Sequence, residues 1–244
     1  MPTRTSSTDR YTACWSTHAL PKNIPCPVIN PHSLHGDAYT STHYGSLGNM
    51  QVEVKVWRGC TRDRRTRDRF ITHLAKELDD WKRASGHRNV SPFLGLVDGF
   101  SWDGLPSLVT PRYLNGNINQ YLRANPRANL LSLLNKVGDA LTYMHSLSPP
   151  VAHGGIRGAN ILIADDGEPR LSDLCINFLP HAPDFTVAGD ELDAERWMAP
   201  EILDPAPELQ GYYNVTTPES DVYSFGMTML ELFSGSHPAR TLSH

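Results

Sequence analysis

His153-Gly-Gly-Ile-Arg-Gly-Ala-Asn160-Ile-Leu-Ile163 is followed by Leu171-Ser-Asp173-Leu-Cys175, then by Trp197-Met-Ala-Pro-Glu201 and Asp221-Val-Tyr-Ser-Phe-Gly226. Between the first two clusters, Asp165-Asp166-Gly167 separates the short apolar runs Ile161–Ile163 and Pro169–Leu171. Asp-Gly between two such runs predicts a hairpin. Downstream, Val222 to Phe233 is apolar nearly all round and predicts a helix buried in a core. Upstream, Leu130, Leu134, Val137, Leu141 and Met144 form a helical stripe that stops before Pro149 and Pro150.

Farther towards the N-terminus the period changes. Met50 to Trp57 alternates, with Val52, Val54 and Val56 on one face and Glu53, Lys55 and Trp57 on the other, as in a half-buried strand. A charged stretch, Arg58 to Arg69, carries six arginines and two aspartates. Phe70, Leu74, Leu78 and Trp81 then predict a helix with Glu77 beside its apolar stripe. Pro92–Val97 and Leu105–Thr110 read as two further strands, and Leu114 to Asn117 as a loop opening a helix. Residues 1–30, rich in Ser, Thr and Pro, read as a loosely ordered tail. Strands early and helices late imply two segregated lobes of α+β class, 31–114 and 115–244.

Bulk properties narrow the function. The chain has 244 residues, a net charge of −4 and a mean hydropathy of −0.39. That balance points away from nucleic acid and membrane surfaces. No apolar run reaches bilayer length, and the first thirty residues show no secretory pattern. Cys14, Cys26, Cys60 and Cys175 form no CxxC pair, so reduced thiols in a cytoplasmic or nuclear protein are expected.

The four clusters in this order resemble the catalytic loop, metal-binding loop, activation-segment end and following helix of the protein kinases, in particular the tyrosine-kinase-like branch. The likeness runs from about Ser33 to His244 and is most specific after Asn115. It implies a small strand-rich lobe over a larger helical one, binding ATP with Mg2+. Position by position, it implies that Lys55 grips the α- and β-phosphates with Glu77 as partner. Thr110 falls at the gatekeeper, and Pro111, Arg112 and Tyr113 at the hinge. Leu162 falls beneath the adenine, and Asn160 and Asp173 are the metal ligands. Taken singly, each has an ordinary structural reading: a solvated strand face, an exposed helix residue, a turn cap.

The likeness breaks at definite places. Gly155 stands where the family carries its catalytic aspartate, and glycine can neither take a proton nor orient a hydroxyl. Arg157 replaces the lysine two residues on, and Ala194 the activation-segment threonine. Cys175 replaces the metal-loop glycine. Of the glycine-rich roof only Gly36 remains, with Ser33 and Ala38 at the other matched places. Glu53 shares the face of Lys55, where a carboxylate obstructs the base or repels phosphate. The helical lobe is short after the buried helix, so its apolar surface is expected to be exposed, with Glu201 unpaired or held by a local cation such as Arg240.

Three readings follow. The leading one is a pseudokinase with at most weak nucleotide binding, working through protein partners. The second is an active Ser/Thr-type kinase with a non-standard catalytic loop. The third is a decaying copy. Thr186 reads as an ordinary loop residue before it reads as a phosphosite, and the arginine run as a solvated loop before an acidic-partner site.

Overall fold

The structure, a computed structural model, describes residues 24–36, 40–57, 64–100, 105–174, 191–204 and 216–238. Strands β1 (Val28–Gly36), β2 (Thr40–Leu47), β3 (Met50–Trp57), β4 (Gly95–Val97) and β5 (Ser107–Pro111) form one antiparallel sheet in the order β1-β2-β3-β5-β4. Helix α1 (Arg64–Ala84) packs on it. The second lobe holds α2 (Ile118–Ala124), α3 (Leu130–Ser146), the hairpin β6 (Ile161–Ile163) and β7 (Pro169–Leu171), α4 (Pro200–Leu203) and α5 (Pro218–Ser234). The two-lobed α+β architecture is the expected one.

The alternation of β3 is realised, with a correction. Val52, Val54 and Val56 are buried in a small core with Val97 and Val109. The opposite face is not simply solvated. Trp57 is buried there, its ring edge-on to Phe70 and its Nε1–H donating to the Pro106 carbonyl. Packing by α1 overrides alternation, because Phe70, Leu74, Leu78 and Trp81 need a surface to cover. That larger core continues through Leu108 and Ile118 to Ile161, Leu171 and Leu232, and so crosses between the lobes.

Several boundaries differ from expectation. The residues 24–30 given to a loose tail are ordered: Ile24 N–H donates to Leu96 O at 2.9 Å, and β1 starts at Val28. Helix α1 begins at Arg64, inside the arginine run. The strand expected from Pro92 starts only at Gly95, because Asn89 to Ser91 are engaged elsewhere. Ser91 N–H donates to Leu171 O, and Leu171 N–H to Asn89 O. Trp81 Nε1–H and the Tyr113 hydroxyl meet Ser91 at 2.7 and 3.1 Å. This segment ties the lobes together behind the cleft.

Caps fix the helix starts. Asn117 and Gln120 form a capping box on α2, Asn129 caps α3, and Thr217 with Ser220 caps α5 ahead of Pro218. Gly235, at φ 68°, ends α5 in the left-handed conformation. Helix α5 departs most from its sequence reading. Val222, Leu230 and Phe233 are 53–63% exposed, whereas Ser220, Asp221, Thr228 and Glu231 are buried. Its inward face is polar because it meets loop backbone whose N–H groups need acceptors.

Candidate functional site

The cleft lies between β3 and the segment that follows β7. Strand β3 points Lys55 towards it, and the Lys55 ammonium meets the Asp173 carboxylate, both largely shielded from solvent. Asp173 sits at φ 60°, rare for a non-glycine residue. Glu77 is buried on the inward face of α1. Glu53 lies opposite Thr110 on β5 and Tyr44 on β2, on the face that carries Lys55. Its charge therefore reaches the inner wall of the cleft.

The hinge side is built from β5 onwards. Thr110 is buried, and Arg112 N–H donates to Gln51 O at 3.0 Å. The Arg112 guanidinium stacks 3.8 Å over the Tyr44 ring. Tyr113 turns inward to Ser91, and burial pushes its phenol above the usual range, with Glu53 and Asp166 adding to the rise. Leu162 is half-buried on β6, paired with Arg170 and bridged to Asn117. Gly36 closes β1 opposite Ser41.

The loop from His153 to Asn160 hangs from α5. Asp221, whose side chain is fully buried, accepts from His153 N–H at 2.6 Å and Gly154 N–H at 2.8 Å, and its Oδ2 lies 2.8 Å from His145 Nε2. Gly154 stands at φ 72°, which only glycine adopts without strain. The His153 imidazole is held below its usual pKa because complete burial disfavours the cation, against the pull of Asp221 and Asp173. Its Nδ1 accepts from Gly155 N–H at 3.2 Å. Asn160 Nδ2–H donates to Gly155 O at 2.7 Å, which closes the loop across the position without a side chain. Asn160 O accepts from Ser172 N–H, so Asn160 and Asp173 are held on adjoining backbone.

A second buried carboxylate completes the frame. Glu231 accepts from Asn119 Nδ2–H at 2.6 Å, Gly158 N–H at 3.0 Å and Trp197 Nε1–H at 3.0 Å. It joins α2, the 153–160 loop and the segment before α4 to α5. Thr228 Oγ1–H donates to Ile156 O, and Ser224 Oγ–H to Trp197 O. Sequence reasoning singled out neither Glu231 nor Asn119. The available signal was a glutamate inside the otherwise apolar Val222–Phe233 run.

Of the remaining expectations, Ala194 lies half-buried in the turn Glu191–Trp197, and Glu201 is exposed on α4. Ala38, Cys175, Thr186, Arg240 and the first half of the arginine run lie outside the described residues. Among the described residues no cluster of three or more His, Cys, Asp or Glu could hold a metal by itself. An Asn-Asp pair fits a magnesium ion whose other ligands are phosphate and water. No helix among the described residues is long and apolar enough to cross a membrane.

A sequence model of the family described as protein tyrosine and serine/threonine kinase matches residues 34–244. The chain is 31% identical over 141 residues to a Dictyostelium discoideum protein named probable serine/threonine-protein kinase samkB, covering 54% of this chain and 22% of that protein. It is 31% identical over 160 residues to the Arabidopsis thaliana protein STRUBBELIG-receptor family 5, covering 62% and 20%. Receptor-interacting serine/threonine-protein kinase 3 of Rattus norvegicus is 27% identical over 157 residues, covering 61% and 31%. The chain spans about a fifth of the length of the first two relatives.

Proposed function

The chain belongs to the protein tyrosine and serine/threonine kinase family, and on that premise we propose that it is a pseudokinase: a regulatory or scaffolding domain that binds nucleotide weakly and transfers little or no phosphate. The observation that carries this reading is Gly155. At the place of the family's base, the loop is closed by Asn160 Nδ2–H on the Gly155 carbonyl and offers no group to accept a proton. Losing a general base typically removes roughly 10²–10⁴ in rate.

Members of this family generally bind ATP and Mg2+. Here Lys55 would hold the nucleotide phosphates, and Asn160 and Asp173 would hold the metal. Bound Mg2+ neutralises charge on the phosphates. Lys55 must leave the Asp173 carboxylate to serve them, and the Glu53 carboxylate stands on the same strand face. Both features weaken nucleotide affinity.

The presence of Lys55, Glu77, Asn160 and Asp173 together favours a second reading, an active kinase with a non-standard loop, since phosphoryl transfer is mostly positioning and electrostatics. Thermal unfolding with and without millimolar MgATP, followed by phosphate-transfer assays of wild type and Gly155→Asp, separates the two. The pseudokinase reading expects a small magnesium-dependent rise in midpoint. It also expects transfer at background in wild type. Robust transfer by wild type would discard it.

A further inference from the structure

A cavity of about 240 Å³ opens on the strand-rich lobe, lined by Val28, Asn30, Tyr44, Ser46, Gln51 and Arg112. Lys55, Thr110, Asn160, Leu162 and Asp173 take no part in it, so it is separate from the place the family gives to nucleotide. Strand pairing explains its position, because antiparallel partners share a sheet face. Tyr44 stands opposite Glu53, and Ser46 opposite Gln51. Pro111 opposite Val52 brings Arg112 beside Gln51. These side chains share the face of Lys55, towards the turn between β2 and β3. Strand β1 supplies the room. Ile29 pairs with Gly45 but Leu34 with His43, so residues 30–33 face Tyr44 alone and β1 draws away from β2. Just before that, β1 closes tightly: a Cβ on Gly45 would lie 2.6 Å from Val28 O.

The lining carries one cation, Arg112, and no carboxylate. The Arg112 guanidinium lies 3.8 Å over the Tyr44 ring, which fixes its plane and occupies one of its flat faces. What a stacked guanidinium still offers is its N–H edge, whose fork matches the two oxygens of a carboxylate. The amides of Asn30 and Gln51 and the Ser46 hydroxyl add donors and acceptors at the same wall. Val28, 75% exposed, gives the mouth an apolar rim. Glu53, one row farther along the same face, opposes a second negative charge, so a monoanion suits the cavity better than a phosphate dianion. The volume has room for roughly eight to ten non-hydrogen atoms.

We propose that this cavity binds a monocarboxylate with a short apolar arm, held by the Arg112 fork on its Tyr44 platform. The carboxylate is that of a small organic acid or of a polypeptide chain end. The inference goes beyond the pseudokinase reading and does not depend on it.

The test uses the full chain with two matched pairs of probes. One pair is benzoate and uncharged benzamide; the other is an acetylated alanyl-valine dipeptide with a free carboxyl end and the same dipeptide amidated. Calorimetry and backbone amide NMR shifts read the binding. In at least one pair the acid should bind at least about tenfold more tightly than its amide. It should shift the amides of Ser46, Gln51 and Arg112 and leave those of Asn160 and Asp173 in place. Tighter binding of the dipeptide acid than of benzoate assigns the cavity to chain ends, and the reverse to free acids. Arg112→Gln should abolish the preference for the acid. Arg112→Lys should keep only part of it, because an ammonium lacks the planar fork. Tyr44→Leu should weaken the acid about two- to fivefold by removing the platform. Circular dichroism confirms that each variant folds, and Arg112→Lys keeps the test decisive if the glutamine variant does not. Equal binding of acid and amide in both pairs, a preference that survives Arg112→Gln, or shifts centred on Lys55 and Asp173 would each overturn the proposal.

Discussion

Replacing Glu231 by alanine tests whether one buried carboxylate holds the loop, α2 and the Trp197 segment to α5. Its Oε2 accepts from Gly158 N–H and Trp197 Nε1–H, both buried, and its Oε1 from Asn119 Nδ2–H. Alanine leaves two buried donors unpaired, and each unmade bond of this kind costs about 1–3 kcal/mol. With the small cavity added, the loss should come to about 3–5 kcal/mol. For a chain of this length the midpoint should fall by roughly 6–20 °C. Glu231→Gln is the control. Its amide oxygen can replace Oε2, and a flipped Asn119 amide can accept from its new NH2, so it should lose about 1–2 kcal/mol or less. Urea unfolding followed by circular dichroism measures both. Trp197→Phe combined with Glu231→Ala should show a coupling of about 1 kcal/mol, because each substitution removes the bond the two side chains share. An alanine variant within about 1 kcal/mol of wild type would refute the argument. So would a glutamine variant as damaged as alanine, which would make charge, not bond geometry, the stabilising factor.

Three further outcomes follow from the same geometry. Asp221→Ala, which strands the His153 and Gly154 N–H groups, should destabilise by about 2–5 kcal/mol in the same assay, and Asp221→Asn by less. His153 is depressed below its ordinary value of 6.5, so the unfolded chain binds its proton first as pH falls. The stability His153 contributes should be present above about pH 6.5 and be lost below it, and unfolding free energies from pH 8 to 5 should fall less steeply in His153→Gln. Glu168 is held below its ordinary 4.5, first by the hydrogen bond from Lys136 at 2.6 Å. Its contribution is present above 4.5 and lost as pH falls through the folded value, so Lys136→Met should begin acid unfolding at a higher pH.

Periodicity made the frame legible. Valines at every second position and Phe70, Leu74, Leu78 and Trp81 at helical spacing report a covered face, because burial is repaid residue by residue along one element. The Asp-Gly hairpin was legible because its turn needs a left-handed residue, and Gly167 stands at φ 80°. What stayed hidden depends on partners distant in sequence. Trp57 was assigned to a polar face because its cover, Phe70 and the Pro106 carbonyl, belongs to other elements. Helix α5 read as apolar and buried, yet its buried side carries Asp221 and Glu231 and its exposed side Val222, Leu230 and Phe233. A composition average cannot tell which side faces in, and the polar side wins wherever loop backbone must find acceptors. The candidate site follows the same rule. Lys55, Asn160 and Asp173 were found by spacing, but the Lys55–Asp173 contact emerges only when β3 and the segment after β7 are brought together. Glycine at position 155 thus removes the base without loosening the loop, which is still held by two buried acids, Asp221 and Glu231.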